Sequence, residues 1–457
     1  MEINTKTVEV ESKKKPTHNE MEINTQAIEM GSKKKPKKSK FVMAGIVGNI
    51  MEWFDYGIYG FFAVAISTNF FPNNDPMVSL ILSFMVFGLG FIARPIGGFI
   101  FGHLGDKIGR KNTLSITVMI MGASTFVMGI LPTYAQIGIA APIILTICRM
   151  LQGISAGGEW GSAVSFLGEY AKPNNRSFIT SFSQVGTGSG LLLGSLVALF
   201  LSNIFSAEAI SSWAWRIAFL FGIVIAFFGY YIRRNVEETP VFQEAKESDS
   251  FSENPLKEAF KDHKLGMATC FLLMSGAFVT YWLILSFMPT YISEFLKLPV
   301  SVGFSLTALT LVTYIISSPI AGYLGDKYGR KPIMLIGSGG IVFLSYPLFH
   351  ILANTDSFAV MAIVVCLEAF IFALFQGPNT IAMSELFPTR VRVSGFSVPY
   401  QLAGAVFAGT AMMTATWLIS KTGNVMMVPI YMISTMAITF LTTMFLYKET
   451  KDVPYEQ

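Results

Sequence analysis

The composition of this 457-residue chain excludes an ordinary water-soluble globular protein, because 52% of its residues are hydrophobic and only 14% are charged. A soluble domain carries roughly 25% charged residues, and the mean hydropathy of +0.53 is typical of apolar helices in lipid. The net charge of +4 arises wholly in residues 1–40, which contain ten Lys and six Glu.

The first forty residues are a tandem duplication, in which residues 1–20 and 21–40 agree at 11 of 20 positions. Their polar, lysine-rich composition predicts a disordered cytoplasmic tail, and Met21 is an alternative start. A basic segment beside a membrane helix favours contact with anionic lipid headgroups. Nucleic-acid binding is not expected, because the tail lacks interleaved aromatic residues.

Twelve apolar runs follow, each long enough to cross a hydrocarbon core of ~30 Å. The first six are Val42–Thr68, Val78–Phe101, Leu114–Leu131, Ala140–Leu167, Phe178–Phe200 and Ala214–Ile232. The second six are Leu265–Met288, Val302–Leu324, Ile333–Leu352, Phe358–Ser384, Val393–Ile419 and Met426–Leu446. The sequence therefore predicts an all-α integral membrane protein with an N-terminal six-helix bundle (41–234), a cytoplasmic linker (235–264), a C-terminal six-helix bundle (265–447) and a short tail (448–457).

The distribution of basic residues predicts the orientation of these helices. With the N-terminus inside, 28 of the 33 Lys and Arg residues fall on the cytoplasmic side. Only Arg216, Lys297 and Lys421 fall on the other side. Cytoplasmic loops are enriched in Lys and Arg, so both termini are expected in the cytoplasm.

The two halves are related in sequence. Residues 102–111 read GHLGDKIGRK and residues 322–331 read GYLGDKYGRK, each between the second and third helix of its half. Parallel repeats of this kind build secondary transporters whose solute site lies between the halves. The repeated segments are expected to be tight cytoplasmic loops, with Asp106 near the start of the third helix. Charged groups in the two loops are expected to latch the halves together in one state and release them in the other: Asp106, Arg110, Asp326 and Arg330. The alternative is that they only anchor the loops in the cytoplasm.

The first helix carries a polar face. Glu52, Asp55, Tyr56 and Tyr59 recur at helical spacing and therefore share one side. An ionisable residue in hydrocarbon is costly and usually marks a functional site. We expect Asp55 or Glu52 to bind and release a proton, the alternative being an ion pair that holds the bundle together.

The fourth helix combines two faces. Arg149, Gln152 and Glu159 lie on one side, and a separate stripe of small residues, Gly153, Gly157 and Gly161, is typical of close helix packing. Arg149 and Gln152 are candidate ligands of a solute carboxylate, and Glu159 is a further candidate for proton coupling. The alternative for Arg149 is a permanent salt bridge to Glu52 or Asp55.

Other candidates are more scattered. Arg94 is either a second ligand of a solute carboxylate or a side chain that snorkels to the cytoplasm. In the second half, Glu368 is a mid-helix acid and a candidate proton site. The remaining candidate solute contacts there are Trp282, Gln376 and Tyr400, with Tyr281 as a further aromatic. The four histidines form no ligand cluster and no nucleotide-binding motif is present, so no enzyme activity, metal or cofactor is expected.

Seven short motifs occur together along the chain: EWFDY (52–56), RPIGG (94–98), GDKIGRK (105–111), QGISAGGEW (152–160), WRI (215–217), EETPVF (237–242) and ELFPTRVR (385–392). In this combination the chain, over residues 41–450, resembles the metabolite:proton symporter family of the major facilitator superfamily. Bacterial members of that family take up proline and glycine betaine, 2-oxoglutarate, citrate or shikimate.

The resemblance implies alternating access, with solute and proton entering together. The protein is expected to lie in a bacterial inner membrane and to function as a monomer. It also implies the latch roles of Asp106 and Arg110 and a functional Arg149. Two alternatives remain open at this stage. One is a proton-driven exporter of amphiphilic compounds, and the other is a solute sensor that does not transport.

Overall fold

The computed structural model describes residues 38–108, 110–157, 164, 167–168, 171–234, 255–388 and 391–453. The tail predicted over residues 1–40 lies almost wholly outside these ranges, as do Glu159 and residues 235–254 of the predicted linker. Within the described ranges the secondary structure is helical. The rest of the predicted linker contains a short helix, Pro255–Asp262.

The N-terminal half contains α1 (Lys38–Phe61), α2 (Pro76–Ile108), α3 (Arg110–Ile130), α4 (Ala140–Ala156), α5 (Arg176–Ile204) and α6 (Trp215–Arg234). A second helix, Ala63–Phe70, continues α1 after one residue, and a π-helical turn, Ile210–Ala214, leads into α6. Such turns leave the regular hydrogen-bond pattern locally and are frequent at functional sites.

The C-terminal half contains α7 (Lys264–Leu285), α8 (Val300–Tyr328), α9 (Arg330–Ala353), α10 (Phe358–Ser384), α11 (Arg392–Thr422) and α12 (Met427–Phe445). A π-helical turn, Gly404–Ala408, interrupts α11. In the described residues, nine helices are long and apolar enough to cross a membrane, and α3 and α4 are shorter apolar helices. With α1 and its continuation they make twelve transmembrane helices, which confirms the predicted fold class.

Glycines bring α4 and α2 into backbone contact. A Cβ atom at Gly153 would lie 1.9 Å from the carbonyl oxygen of Gly90, and one at Gly157 would lie 1.9 Å from that of Arg94. Small residues allow such close approach between membrane helices. This packing sets the depth and rotation of α4 relative to α2, and hence the positions of Arg149 and Arg94.

The two halves are in contact at the centre and at both ends. At the end that carries the C-terminus, the Asp326 carboxylate on α8 accepts hydrogen bonds from the backbone N–H groups of Ser177 (3.0 Å) and Phe178 (2.8 Å) on α5. At the opposite end, the Ser195 hydroxyl donates to the carbonyl oxygen of Phe304 at 3.2 Å. In the described part of the chain the halves therefore touch at both ends of the bundle, and we call this arrangement the closed state.

The expectation that the repeated motifs form loops is wrong. Helix α8 continues to Tyr328, so Asp326 lies in its last turn, and only Gly329, with a φ of 105°, turns the chain into α9. Asp106 likewise lies in the last turn of α2 rather than near the start of α3. Asp326 caps the N-terminus of α5, which belongs to the other half. The sequence around Asp326 cannot predict this contact, because α5 is distant along the chain. The side chains of Asp106 and Arg110 are outside the described part of the structure.

The substitution Gly153→Ala is expected to lower the free energy of unfolding by about 1–3 kcal/mol, because overpacking forces α4 away from α2. The matched control is Gly98→Ala on α2, where the nearest atom to a Cβ is 3.6 Å away. Thermal unfolding in detergent measures both variants. Equal unfolding midpoints would contradict the glycine contact as a determinant of α4 position.

Candidate functional site

The polar face of α1 meets Arg94 of α2. The Arg94 Nη2 atom lies 2.9 Å from Oε1 of Glu52, and both side chains are buried. The Arg94 Nε atom donates to the Tyr56 hydroxyl at 3.3 Å. Arg94 therefore points into the bundle rather than toward an aqueous surface, and Glu52 neutralises its charge.

Asp55 lies at the centre of a second network. The Thr125 hydroxyl donates to Asp55 Oδ1 at 2.5 Å, and the Gln152 amide donates to Asp55 Oδ2. The Gln152 oxygen in turn accepts a hydrogen bond of 2.7 Å from Arg149 Nη1. One amide side chain thus connects the acid of α1 to the arginine of α4, and α3 supplies Thr125.

Arg149 is fully buried and only partly satisfied. Its Nε and Nη2 atoms are buried without a hydrogen-bond partner. Its guanidinium carbon lies 4.5 Å from the Tyr59 ring centroid, 4.7 Å from that of Tyr56 and 5.0 Å from that of Phe87. Cation–π contacts offset part of the desolvation of a guanidinium, but buried N–H groups without acceptors remain costly. Arg149 therefore presents donors suited to a carboxylate.

Aromatic side chains of the two halves meet beside this network. The rings of Trp53 and Trp282 stack with centroids 5.6 Å apart, and Tyr281 packs edge-on to Trp53 at 5.1 Å. Trp282 also contacts Phe87 at 4.9 Å. The Trp282 indole nitrogen is buried without a hydrogen-bond partner. The cluster joins α1 and α2 to α7 across the interface between the halves.

The structure brings together many of the sequence candidates and leaves others apart. The residues in the two linked networks and the aromatic cluster are Glu52, Asp55, Tyr56, Tyr59, Arg94, Arg149, Gln152 and Trp282. Tyr400 is buried against Phe278 and Phe396, and Gln376 contacts Asn379 one turn along α10. Glu368 lies apart, with Ser345 of α9 as its hydrogen-bond donor. Trp53 and Thr125 were missed, since a Trp or Thr in an apolar helix carries no sign of its role.

A separate cluster occupies the end of the bundle that carries the C-terminus. We call it the terminal-end cluster, and it comprises Arg176, Asp326, Arg330, Glu385 and Glu449. Arg330 Nε and Nη2 lie 2.8 Å and 2.9 Å from the two oxygens of Glu385. Arg176, from the other half, lies 3.8 Å from the same carboxylate. Glu449 accepts hydrogen bonds from the backbone N–H groups of Arg330 and Lys331, at 3.1 Å and 2.9 Å.

Glu385 follows the last residue of α10 and is the titratable centre of this cluster. Burial raises the pKa of its carboxyl to about 7, although Arg330, Thr450 and Arg176 act to lower the pKa. A carboxyl that is exposed to water by opening has the ordinary, lower pKa. The closed state therefore binds this proton more tightly than an open state does.

This fold, with two six-helix halves closed around a buried ionic and aromatic site, defines a membrane transporter rather than an enzyme. The family model of the Major Facilitator Superfamily matches residues 45–409, and the chain belongs to that superfamily.

Among curated proteins, the chain is 35% identical over 424 residues to the glycine betaine/proline/ectoine/pipecolic acid transporter OusA of Dickeya dadantii (strain 3937), covering 91% of this chain and 84% of the relative. It is 35% identical over 427 residues to the proline/betaine transporter of Escherichia coli (strain K12), covering 92% and 85%. Among solved structures, a partially occluded inward-open conformation of the E. coli xylose transporter XylE matches with a TM-score of 0.72. That likeness has 18% identity and covers 91% of this chain and 99% of XylE, so it shows the fold alone.

The terminal-end cluster is expected to open more readily as the pH rises through about 7. In the closed state, burial outweighs the pairing of Glu385 with Arg330 and Arg176, so the proton on Glu385 favours the closed state below that pH and its loss makes the closed state relatively less favourable. A probe is Ser181→Cys, a buried position on α5 against α8, with Cys148, Cys270 and Cys366 replaced by Ala. The rate at which a thiol reagent modifies this probe in detergent should rise several-fold as the pH rises. Each rate is divided by the rate for a protein with the exposed substitution Asn203→Cys, measured at the same pH.

The matched variant Glu385→Gln keeps the side-chain shape but cannot titrate. It should remove the normalised pH dependence of the Ser181→Cys probe. An unchanged slope in this variant would show that Glu385 does not control opening at this end.

Proposed function

We propose that this chain imports a small zwitterionic carboxylate of the proline or betaine type together with a proton, by alternating access between its two halves. The observation that carries the proposal is the half-satisfied guanidinium of Arg149, which Gln152 links to the acid Asp55. The names of the two curated relatives, both transporters of proline and betaine, support the same solute class.

The number of arginines at the site without a directly paired acid favours a solute with one carboxylate. Glu52 neutralises Arg94 at 2.9 Å, so of the two described arginines at this site Arg149 is the one left for a solute. A dicarboxylate or tricarboxylate needs further cationic partners, because an uncompensated charge in a buried site is costly. We infer that Arg94 positions α1 and α2 and that Arg149 binds the solute carboxylate.

Proton coupling follows from the charge balance between Asp55 and Arg149. When Asp55 is ionised, its charge compensates Arg149 through the Gln152 amide. When Asp55 takes up a proton, Arg149 becomes an uncompensated buried cation, and a solute carboxylate restores neutrality. Proton and carboxylate therefore bind favourably together, since each offsets the electrostatic cost of the other.

The aromatic cluster suits the cationic end of the same solute. Trp53, Tyr281 and Trp282 offer ring faces and edges beside Arg149, and an ammonium group, quaternary or secondary, is attracted to such faces. These rings come from both halves, so a solute that separates them contacts both halves at once. Solute binding is thereby connected to the rearrangement between them.

We propose that the protein lies in a bacterial inner membrane with both termini in the cytoplasm, and that it functions as a monomer. The charge distribution of the loops supports this orientation. The terminal-end cluster then forms the cytoplasmic gate, with Asp326 and Arg330 in the latch. By the sequence repeat, Asp106 and Arg110 have the corresponding role in the first half. Of the proton-site candidates on α1 and α4, Asp55 is the one that we assign to coupling.

Uptake into proteoliposomes with an imposed inward proton gradient tests this proposal. The solutes are glycine betaine, proline, 2-oxoglutarate, citrate and shikimate. We expect accumulation of betaine or proline that a protonophore abolishes. Accumulation of a di- or tricarboxylate alone would contradict the solute class. Outward movement of amphiphilic cations would indicate an exporter, and saturable binding without movement would indicate a sensor.

Two variants separate the proposed roles at the site. Asp55→Asn should lose gradient-driven accumulation but retain solute exchange, because the neutral amide resembles the protonated acid. Arg149→Ala should lose solute binding by at least about tenfold. Asp75→Asn, at an exposed acid outside the site, is the matched control and should behave as the wild type. Gradient-driven accumulation by Asp55→Asn would exclude Asp55 as the coupling acid.

A further inference from the structure

Glu368 is a buried acid that the proposed transport cycle does not use. It lies on α10, and its side chain is 2% exposed. Its Oε1 atom accepts a hydrogen bond from the Ser345 hydroxyl on α9, whereas its Oε2 atom is buried without a hydrogen-bond partner. A carboxyl group with one donor and one unsatisfied oxygen is unusual, because buried polar atoms are normally paired.

The space beside Glu368 is apolar and small. A cavity of about 10 Å³ adjoins the carboxyl group, enough for a single water molecule. All its lining residues belong to the C-terminal half. They are Ile284, Met288, Thr310, Phe349, Leu352, Val364, Val365 and Glu368 itself. Ile284 and Leu352 lie near the ends of α7 and α9 that face away from the termini, so the cavity is on that side of the membrane.

The helices around Glu368 supply no compensating charge. Among the ion pairs between described residues, none within 4.0 Å involves Glu368. Tyr281 and Tyr314 contact Phe372 one turn along α10, and Tyr291 contacts Phe349. Tyrosine is neutral near pH 7, so these groups cannot balance a carboxylate. Further titratable groups on these elements are Tyr346 and the exposed His350 on α9, the partly buried Glu294 after α7 and the partly buried Cys366 on α10. Lys264 and Cys270 of α7, and the ionisable groups between Tyr323 and Lys331, lie toward the end that carries the C-terminus.

We propose that Glu368 is a second proton-binding site, which must be protonated for the membrane face opposite the termini to close. An ionised carboxylate here has no counter-ion and one unsatisfied oxygen, so the closed state requires the neutral acid. Helix α7 carries Ile284 of the cavity lining and contacts α1 of the other half through Trp282 and Trp53. When the halves part at that face, α7 loses this contact and moves, water reaches the cavity, and the carboxyl ionises by giving its proton to that water. Reprotonation from the same side precedes closure. The inference rests on alternating access as proposed above, but not on the identity of the solute.

The consequence is a pH-dependent outer gate. Raising the pH at that face should favour the ionised Glu368 and hence the open state. Ser286 is a suitable reporter, since it is fully buried where α7 meets Gly60 of α1. Glu385→Gln is included in every protein of this assay, so that the terminal-end cluster does not add a pH dependence of its own. In a protein with Ser286→Cys, Glu385→Gln and the natural cysteines replaced by Ala, modification by an impermeant maleimide reports opening. The exposed Asn203→Cys protein corrects for the intrinsic pH dependence of the thiol.

We expect the corrected modification rate to rise several-fold from mildly acidic to mildly alkaline pH. Glu368→Gln, a neutral mimic of the acid, should give a low rate that does not change with pH. Glu368→Asp keeps a titratable group and should keep a slope. A flat rate in the parent, or an unchanged slope in Glu368→Gln, would overturn the proposal. The assay needs neither solute nor gradient, so its failure is distinguishable from failure of the proposed transport function.

Infrared spectroscopy of the reconstituted protein tests the protonation directly. The closed protein should show a carbonyl band of a protonated carboxylic acid that Glu368→Gln removes and Asp55→Asn retains. Ser345→Ala should shift this band, because one hydrogen bond to the carboxyl is lost. If Glu368→Gln leaves the carboxylic-acid region unchanged, Glu368 is not protonated in the closed state and the proposal fails.

Discussion

Charge that is enclosed by an apolar bundle must be compensated, and this requirement governs where the polar side chains of the protein lie. The idealised desolvation of a carboxylate or guanidinium is of the order of 20 kcal/mol and remains several kcal/mol after relaxation. The pair of Arg94 and Glu52 satisfies the requirement directly, at 2.9 Å. Asp55 and Arg149 satisfy it only through the Gln152 amide, and Glu368 has no cation at all among the described ion pairs.

These three degrees of compensation correspond to three different properties. A fully paired charge holds two helices in place, and its partner and protonation state stay the same. A partly paired charge changes its preference for a partner whenever a proton binds nearby, which is the property that coupling requires. An unpaired acid depends on its own proton to remain buried. The chemistry proposed for each residue therefore follows from its neighbours rather than from its residue type.

The two ends of the closed bundle are sealed by different interactions. The terminal-end cluster uses ion pairs and a helix N-terminus capped from the other half, through Arg176, Asp326, Arg330 and Glu385. The opposite end uses aromatic and backbone contacts, such as Phe62 against Phe304 and the Ser195 hydroxyl against the carbonyl of Phe304. Ion pairs gain hydration when they separate, which offsets part of the loss, so such an interface can open and close reversibly. The apolar end depends more on shape, and Glu368 lies beside it.

The amino-acid sequence by itself determined the class of the protein. The length of each hydrophobic run is a local property of the sequence, and it predicted twelve helices. The basic loops predicted their orientation, and the repeated GDKxGRK segments predicted two related halves. Helical spacing also predicted that Glu52, Asp55, Tyr56 and Tyr59 share a face, because residues on one helix have a fixed geometry.

Only the tertiary structure decided which charges meet. The partner of Glu52 is Arg94 rather than Arg149, Asp326 caps a helix in the other half, and Thr125 and Trp53 complete the site. Each of these contacts depends on the depth and rotation of separate helices, which glycine contacts such as Gly153 against Gly90 set. Spacing along one helix carries no information about that packing, so the pairing of charges emerges only when all the helices are in place.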